Sequence, residues 1–119
     1  MTDPKERRRF VRLENSLPLM YWISPATVPQ ATLTRNLSGG GICLYVTERL
    51  LPGTNLEVQF TLPGQQGPMT FTAEVVWCDQ PAPDAPSGQV MAGIRFTQIT
   101  PHDRDRIIRY CMQRVPPRA

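Results

Sequence analysis

The sequence predicts a mainly β protein: a six-stranded antiparallel β-barrel with a C-terminal α-helix and a flexible basic N-terminal arm. Three observations predict this fold class. Apolar residues alternate with period two from Leu17 to Phe96, turns rich in Gly and Pro interrupt the alternation, and a helical spacing replaces it after Thr100. A chain of 119 residues with 40% hydrophobic and 19% charged residues suits one soluble domain with a single core.

Six alternating runs are the predicted strands, and each has one face that is apolar enough to be buried. They cover residues 17–23, 31–36, 42–47, 56–62, 69–78 and 90–97. Predicted turns lie at 24–29, 38–40, 52–54 and 63–68, and a stiff proline-rich loop lies at 80–88. Because no helix separates the strands, an antiparallel barrel or sandwich is expected, and a barrel leaves no exposed edge strand.

The residues after the last strand predict a helix. Thr100 is a favourable N-cap and Pro101 a favourable first helical residue, while Pro116 ends the helix. The predicted apolar stripe consists of Ile107, Ile108, Cys111, Met112 and Val115. Because such a stripe must be buried, we expect the helix to lie as a structural lid across one opening or face of the barrel.

Several classes of protein are excluded by what the sequence lacks. Its three widely spaced cysteines argue against a disulfide framework and do not have zinc-ligand spacing. No apolar run reaches the ~20 residues of a membrane-spanning helix, and the charged N-terminus does not resemble a secretory signal, so a cytoplasmic protein is expected. There is no P-loop motif, and His102 has no evident Cys or Ser partner. We therefore expect neither enzymatic activity nor a metal or cofactor.

The excess positive charge is concentrated at the N-terminus. The formal net charge is +3, and residues 1–12 hold five basic residues against two acidic ones, whereas the rest of the chain is balanced. We assign residues 1–16 to the arm and residues 17–115 to a single domain of barrel and helix. On charge alone, a solvated arm without a dedicated ligand is favoured over a weak nucleic-acid-binding arm.

Two short segments carry specific motifs. The segment 6–13 contains R-x-x-x-R as Arg8 and Arg12, and the segment 35–44 contains N-x-S-x-x-G as Asn36, Ser38 and Gly41. This ordered pair, placed before and within a small all-β domain, resembles the PilZ family, whose members bind the bacterial second messenger cyclic di-GMP. The resemblance covers nearly the whole chain and implies a PilZ-like barrel, with the motif residues as the ligand contacts.

The residue types suit such a ligand. Guanine presents the O6 and N7 acceptors, for which arginine is the usual bidentate partner, and phosphate matches the same guanidinium geometry. The Asn36 carbonyl and the Ser38 hydroxyl can accept from the guanine N–H donors. The glycines, Gly41 among them, are expected to allow unusual dihedral angles in the turn and a close approach of the ligand.

Further contacts are predicted around this core of motif residues. In the family, an arginine at the position of Arg7 goes with two stacked ligand molecules, so we expect a pair of cyclic di-GMP molecules. We also predict secondary contacts to the ligand from four residues: Arg9, Gly40, Trp77 and Arg95. The alternation puts Trp77 on the same face as Val75 and thereby favours a core position, although an indole at the barrel rim could stack on a guanine.

Three hypotheses follow for the function. The first is a stand-alone cyclic di-GMP receptor whose arm rearranges on binding and relays the signal to an unidentified partner protein, with motility, pilus function, polysaccharide synthesis and virulence as the outputs known in the family. The alternative is a PilZ-like interaction module of the type IV pilus assembly kind that does not bind the nucleotide; such modules typically lack the arginine pair. The third, which the motifs disfavour, is salt-sensitive, nonspecific nucleic-acid binding through the arm.

Overall fold

A computed structural model describes residues 12–23, 25, 28–65, 67–80 and 89–114 of the chain. These residues form seven strands and one helix, which we number in chain order. The strands are β1 (Leu13–Glu14), β2 (Pro18–Ile23), β3 (Gln30–Leu37), β4 (Gly41–Val46), β5 (Asn55–Phe60), β6 (Met69–Cys78) and β7 (Val90–Gln98), and the helix is α1 (Pro101–Arg114).

Six of the strands close into an antiparallel barrel, as the sequence predicts. The ring runs β2–β3–β4–β7–β6–β5 and closes where β5 pairs with β2. The seventh strand, β1, was not predicted as a strand, because two residues are too few to produce an alternation. It pairs with the end of β3, through Leu13 opposite Leu37 and Glu14 opposite Asn36, and so lies within the segment 1–16 that the sequence assigned to the arm.

The core fills the inside of the barrel. Alternate residues of β5 and β6 are buried, from Leu56 to Phe60 and from Met69 to Val75. Phe71 lies near the centre, where its ring makes edge contacts with Phe60 and Phe96 at centroid distances of 5.8 and 4.6 Å. These apolar side chains need no polar partner, and their burial stabilises the barrel.

Strand β3 reverses the face that its apolar residues predict. Leu33 is 47% exposed, whereas Thr34 is fully buried. Burial of Thr34 is tolerated because its hydroxyl accepts a hydrogen bond from the Leu17 backbone N–H at 2.9 Å and donates one to the Asn15 carbonyl at 2.6 Å. These bonds tie β3 to the segment between β1 and β2, where regular strand pairing is interrupted.

Helix α1 begins as predicted. The Thr100 hydroxyl accepts a hydrogen bond from the Asp103 backbone N–H at 3.1 Å, which is the N-cap contact. Of the predicted apolar stripe, Ile107 and Cys111 are buried, but Met112 is 60% exposed and Val115 lies outside the described residues. The third buried residue is Tyr110.

Tyr110 lies in the buried stripe in place of Met112, because Ile107, Tyr110 and Cys111 have the i, i+3, i+4 spacing of one helix face. The polar end of Tyr110 also has a partner. Its hydroxyl accepts a hydrogen bond from the Asn15 side-chain amide at 3.2 Å, and the Arg114 guanidinium lies 3.7 Å from the centre of its ring. Next to it, the Cys111 thiol donates to the Leu37 carbonyl at 3.3 Å. The helix therefore packs on β1 and on the end of β3. Among the described residues, no helix is long and apolar enough to cross a membrane.

Candidate functional site

A cleft of about 400 Å³ lies on the outer surface of the barrel, across the ends of β3, β4, β7 and β6. Two β-bulges border it. Arg35 is the extra residue of β3 opposite β4, and Val76 is the extra residue of β6 opposite β7. A bulge turns neighbouring side chains toward the same face of a sheet. The outer surface here therefore receives Asn36 from one side and Trp77 from the other.

The floor of the cleft follows a row of paired residues. Asn36 lies opposite Cys43, Cys43 opposite Gly93, and Gly93 opposite Trp77, so one register line crosses four strands. Glu14 of β1 extends this line beyond Asn36. Because glycine and cysteine have small side chains, the middle of the row is low between Asn36 and Trp77, and this difference in height makes the cleft.

The turn between β3 and β4 is shaped by its own hydrogen bonds. The Ser38 hydroxyl accepts from the Gly40 backbone N–H at 3.2 Å and donates to the Gly41 carbonyl at 3.3 Å, while the Ser38 backbone N–H donates to the same carbonyl at 3.0 Å. The Phe96 backbone N–H donates to the Gly40 carbonyl at 3.1 Å and fixes the turn to β7. Ser38 thus holds the turn in shape and retains one lone pair for a ligand.

Gly41 is required for space and not for backbone freedom. The glycine-rich turn predicts unusual dihedral angles, but the φ of Gly41 is not positive. A Cβ at this position would collide with the carbonyl oxygen of Ile94 on the neighbouring strand. The absence of a side chain lets β4 and β7 approach closely under the cleft.

Trp77 does not occupy the core position that the alternation favoured. Trp77 is 42% exposed and lines the cleft, because the extra residue Val76 shifts the pairing of β6 with β7 by one position. A one-residue shift transfers every following side chain to the other face of the strand. Cys78 accordingly packs against the core, although period two would have placed it outside.

Arginine charge lies close to the cleft. Arg12 is exposed and lines the cleft directly before β1. Burial raises the pKa of the Cys43 thiol on the cleft floor, and the positive charges of Arg12 and Arg35 oppose this rise. A hydrogen bond to Tyr45 raises the pKa of Arg35, which therefore remains a cation. The cleft combines one lining arginine, Arg12, with a polar turn and an aromatic wall, and this set suits a planar, anionic ligand.

The structure brings four of the six predicted principal contacts together. Arg12, Asn36, Ser38 and Gly41 all line the cleft, as do the predicted secondary contacts Gly40 and Trp77. Their contact with a ligand stays a prediction. The predicted contacts Arg7, Arg8 and Arg9 lie outside the described residues.

Arg95 is placed differently from the other secondary contacts. Its guanidinium pairs with the Glu74 carboxylate at 3.0 Å on the neighbouring strand, and its side chain is 57% exposed. It is not among the residues that line the cleft. Six further lining residues were not predicted from the sequence, because apolar or small side chains give no distinctive chemical signal: Ile42, Cys43, Val76, Met91, Gly93 and Ile94. In the described part of the chain, no group of three or more His, Cys, Asp or Glu residues could hold a metal ion.

Comparisons with known proteins agree with this architecture. The structure of the Bacillus subtilis inhibitor of motility MotI/DgrA matches with a TM-score of 0.75 at 22% identity, over 91% of this chain and 51% of that chain. The PilZ domain of Escherichia coli YcgR, solved with c-di-GMP, matches with a TM-score of 0.66 at 17% identity, over 90% of each chain. The Klebsiella pneumoniae MrkH–c-di-GMP complex matches with a TM-score of 0.65 at 14% identity, over 90% of this chain and 51% of that one.

The chain thus spans about half the length of the MotI/DgrA and MrkH chains. At these identities the likeness shows the fold alone. No match is found among the curated protein sequences compared. The family model for the PilZ domain, however, matches residues 6–113, which includes both motifs and every described strand and nearly the whole helix. The chain belongs to the PilZ domain family.

Proposed function

We propose that this chain binds cyclic di-GMP in the cleft between Asn36 and Trp77. The observation that carries the proposal is the convergence of Arg12 with Asn36, Ser38 and Gly41 on that one cleft, although more than 20 residues separate the two motifs in the sequence. Two structurally similar proteins, YcgR and MrkH, were solved with c-di-GMP. The residues and the structural neighbours support the same ligand.

The predicted contacts in the cleft have roles that their chemistry allows. Arg12, with Arg8 from the arm, provides guanidinium groups for a phosphate and for the O6 and N7 edge of a guanine. The Asn36 side-chain carbonyl accepts from guanine N–H donors. Ser38 holds the turn that presents Asn36, and Gly41 keeps the cleft floor close to the neighbouring strand. Trp77 offers an aromatic surface to a base.

Arg7 extends the proposal to the number of ligands. An arginine directly before the arginine pair suits two stacked cyclic di-GMP molecules, whose four phosphates need more positive charge than Arg8 and Arg12 supply. We therefore expect two molecules of cyclic di-GMP per chain. The substitution Arg7→Ala should reduce this number to one without abolishing binding.

The proposal also includes a relay to a downstream protein, which is not yet identified. Arg12 directly precedes β1, and the residue that follows β1, Asn15, donates a hydrogen bond to Tyr110 of α1. A rearrangement of the arm on binding would therefore reach the helix within a few residues. If ligand binding exposes or covers the surface around β1 and α1, that change would signal to a partner.

An isothermal titration of the protein with cyclic di-GMP tests the proposal, with GTP and cyclic GMP as controls for selectivity. Arg12→Ala should weaken binding at least about tenfold, since a charge-assisted contact contributes about 1.5–3 kcal/mol. The matched control is Arg109→Ala, because Arg109 is an exposed arginine on α1 that pairs with Asp105 away from the cleft. It should bind as the wild type does.

Other outcomes would contradict parts of the proposal. A well-folded protein that does not bind cyclic di-GMP would transfer the chain to the interaction modules of the family. Equal binding of GTP, with an affinity that falls steeply as salt rises, would indicate a nonspecific basic arm. Full affinity in Arg12→Ala would show that the ligand does not occupy this cleft.

A further inference from the structure

Gly93 lies directly beneath the indole of Trp77. The two residues are cross-strand partners on β7 and β6. A Cβ added to Gly93 would collide with the indole nitrogen Nε1 and would lie 2.5 Å from Cε2 and 2.9 Å from Cδ1. The five-membered ring of the indole therefore covers the position that any other side chain would occupy. No residue larger than glycine fits there while Trp77 keeps this position.

The backbone does not explain the glycine. The φ of Gly93 is not in the left-handed region, so an L-residue could adopt the same conformation. Glycine inside a strand is unfavourable because it loses more conformational entropy than other residues and offers no side chain for packing. Its presence in a strand paired on both sides is therefore explained by the close approach of Trp77.

The bulge at Val76 makes this contact possible. Because the bulge turns Trp77 away from the core, its side chain needs a new packing partner on the outer surface. Gly93 and Cys43 leave that surface low, so the indole packs down over Gly93 while the residue stays 42% exposed. The five-membered ring of the indole lies against the Gly93 backbone, and both residues line the cleft.

We propose that Gly93 is a positioning residue that seats Trp77 as a rigid stacking surface for a planar purine base in the cleft. A stacking surface is effective when it is held in place before the ligand arrives, because less conformational entropy is then lost on binding. Asn36 lies three strands away, about 14 Å along the sheet, so a base on Trp77 can present its edge toward the polar turn. The identity of the base rests on the proposed function, whereas the seating of Trp77 by Gly93 does not.

Tryptophan fluorescence tests the seating without any ligand. The chain has two tryptophans, so Trp22→Phe leaves Trp77 as the single emitter. In this background, Gly93→Ala should shift the Trp77 emission to longer wavelength and increase its quenching by acrylamide, since the added methyl group displaces the indole into solvent. An unchanged spectrum and unchanged quenching in a folded Gly93→Ala protein would overturn the proposal.

A double-mutant cycle tests the link to binding. Gly93→Ala should weaken the affinity for cyclic di-GMP about tenfold in the chain with Trp77, a loss comparable to that of one base stack. In the Trp77→Ala background the same substitution should change affinity by less than about twofold, because no indole remains to be displaced. Equal losses in both backgrounds would show that Gly93 acts independently of Trp77 and would overturn the proposal.

The two experiments separate the possible failures. If the protein does not bind cyclic di-GMP but Gly93→Ala shifts the Trp77 emission, the proposed function fails and the seating stands. If Gly93→Ala does not fold, the double variant with Trp77→Ala should regain a wild-type-like circular dichroism spectrum, because the collision is removed. A double variant that also fails to fold would show that the glycine serves another contact and would overturn the proposal.

Discussion

The two halves of the barrel wall differ in the regularity of their strand pairing. In the regular half, which consists of the β2–β3, β2–β5 and β5–β6 pairs, the register runs without a shift. In the bulged half, the β3–β4 pair shifts at Arg35 and the β6–β7 pair shifts at Val76 and at Thr97. These two pairs enclose the unshifted β4–β7 pair. The cleft lies on the bulged half.

This difference shows how a barrel with a packed interior acquires a cleft on its outer surface. In the regular half, period two holds, and the inward residues contribute only to the core. In the bulged half, one extra residue on each side redirects Asn36 and Trp77 to the outer surface, and small residues between them leave room for a ligand. Stability should therefore depend most on the regular half and ligand binding on the bulged half.

The largest expected effect is on the regular half. Phe71→Ala removes a buried ring that contacts Phe60 and Phe96, which should lower the free energy of unfolding by about 3–5 kcal/mol. The melting temperature should fall by roughly 10–20 °C. The folded fraction should bind cyclic di-GMP with unchanged affinity, because Phe71 is not among the residues that line the cleft.

The control for this prediction is Met112→Ala on helix α1. Met112 is 60% exposed, so its truncation should change the free energy of unfolding by less than about 0.5 kcal/mol. Urea denaturation measures both variants. If Phe71→Ala and Met112→Ala lowered the free energy of unfolding equally, the prediction that the buried ring contributes most to stability would be wrong.

The next largest effect is a loss of stability at high pH, and it arises at the contact between α1 and the bulged half. Burial raises the pKa of the Cys111 thiol from 9.0 to about 11. Below pH 9 the thiol is protonated in both the folded and unfolded states, and its contribution to stability is fully present. As the pH rises from 9 through 11, the unfolded chain releases this proton first, so the wild type should lose about 2–3 kcal/mol of stability.

The variant Cys111→Val has no thiol to ionise and isolates this contribution. Its free energy of unfolding, measured by urea denaturation under reducing conditions, should fall less steeply between pH 8 and pH 11 than that of the wild type. Groups shared by both proteins cancel in the comparison. Parallel pH profiles would contradict the prediction.

A smaller loss of stability is expected when the Thr34 hydroxyl is removed, because this hydroxyl joins β3 to the segment between β1 and β2. Thr34→Val keeps the shape of the side chain but leaves the Leu17 N–H and the Asn15 carbonyl without their partner. The free energy of unfolding should fall by about 1–3 kcal/mol, the cost of unsatisfied buried polar groups. The control Thr70→Val, at an exposed position in β6, should change it by less than about 0.5 kcal/mol.

Much of the fold could be predicted from the sequence because most of the barrel obeys period two. The alternation in β5 and in the first part of β6, and the cap at Thr100, are direct consequences of local chemistry. Strand β3 could not be predicted in the same way. The burial of Thr34 depends on hydrogen bonds to a segment 17 to 19 residues away, which no local pattern reveals.

The candidate site likewise contains residues that the sequence predicts and residues that it does not. Polar motif residues such as Arg12 and Asn36 were found from their spacing and from the resemblance to a family, and the structure places them in one cleft. Cys43 and Gly93 were missed because a small side chain gives no signal until its neighbours are known. Trp77 was assigned to the wrong face because a bulge arises from strand pairing and leaves the alternation of the sequence intact.

The smallest expected effect distinguishes arginines inside and outside the cleft. The Arg95–Glu74 pair lies on the barrel exterior, with the two side chains 57% and 33% exposed, and water screens such a pair. Arg95→Ala should therefore change the free energy of unfolding by less than about 1 kcal/mol. It should also change the affinity for cyclic di-GMP by less than about twofold, as expected of a guanidinium already held by a carboxylate and outside the cleft lining. Calorimetry on Arg95→Ala and Arg12→Ala at the same salt concentration measures the contrast. A loss in Arg95→Ala equal to that in Arg12→Ala would show that binding breaks the Glu74 pair and draws Arg95 to the ligand, so that the site would extend beyond the cleft between the two bulges.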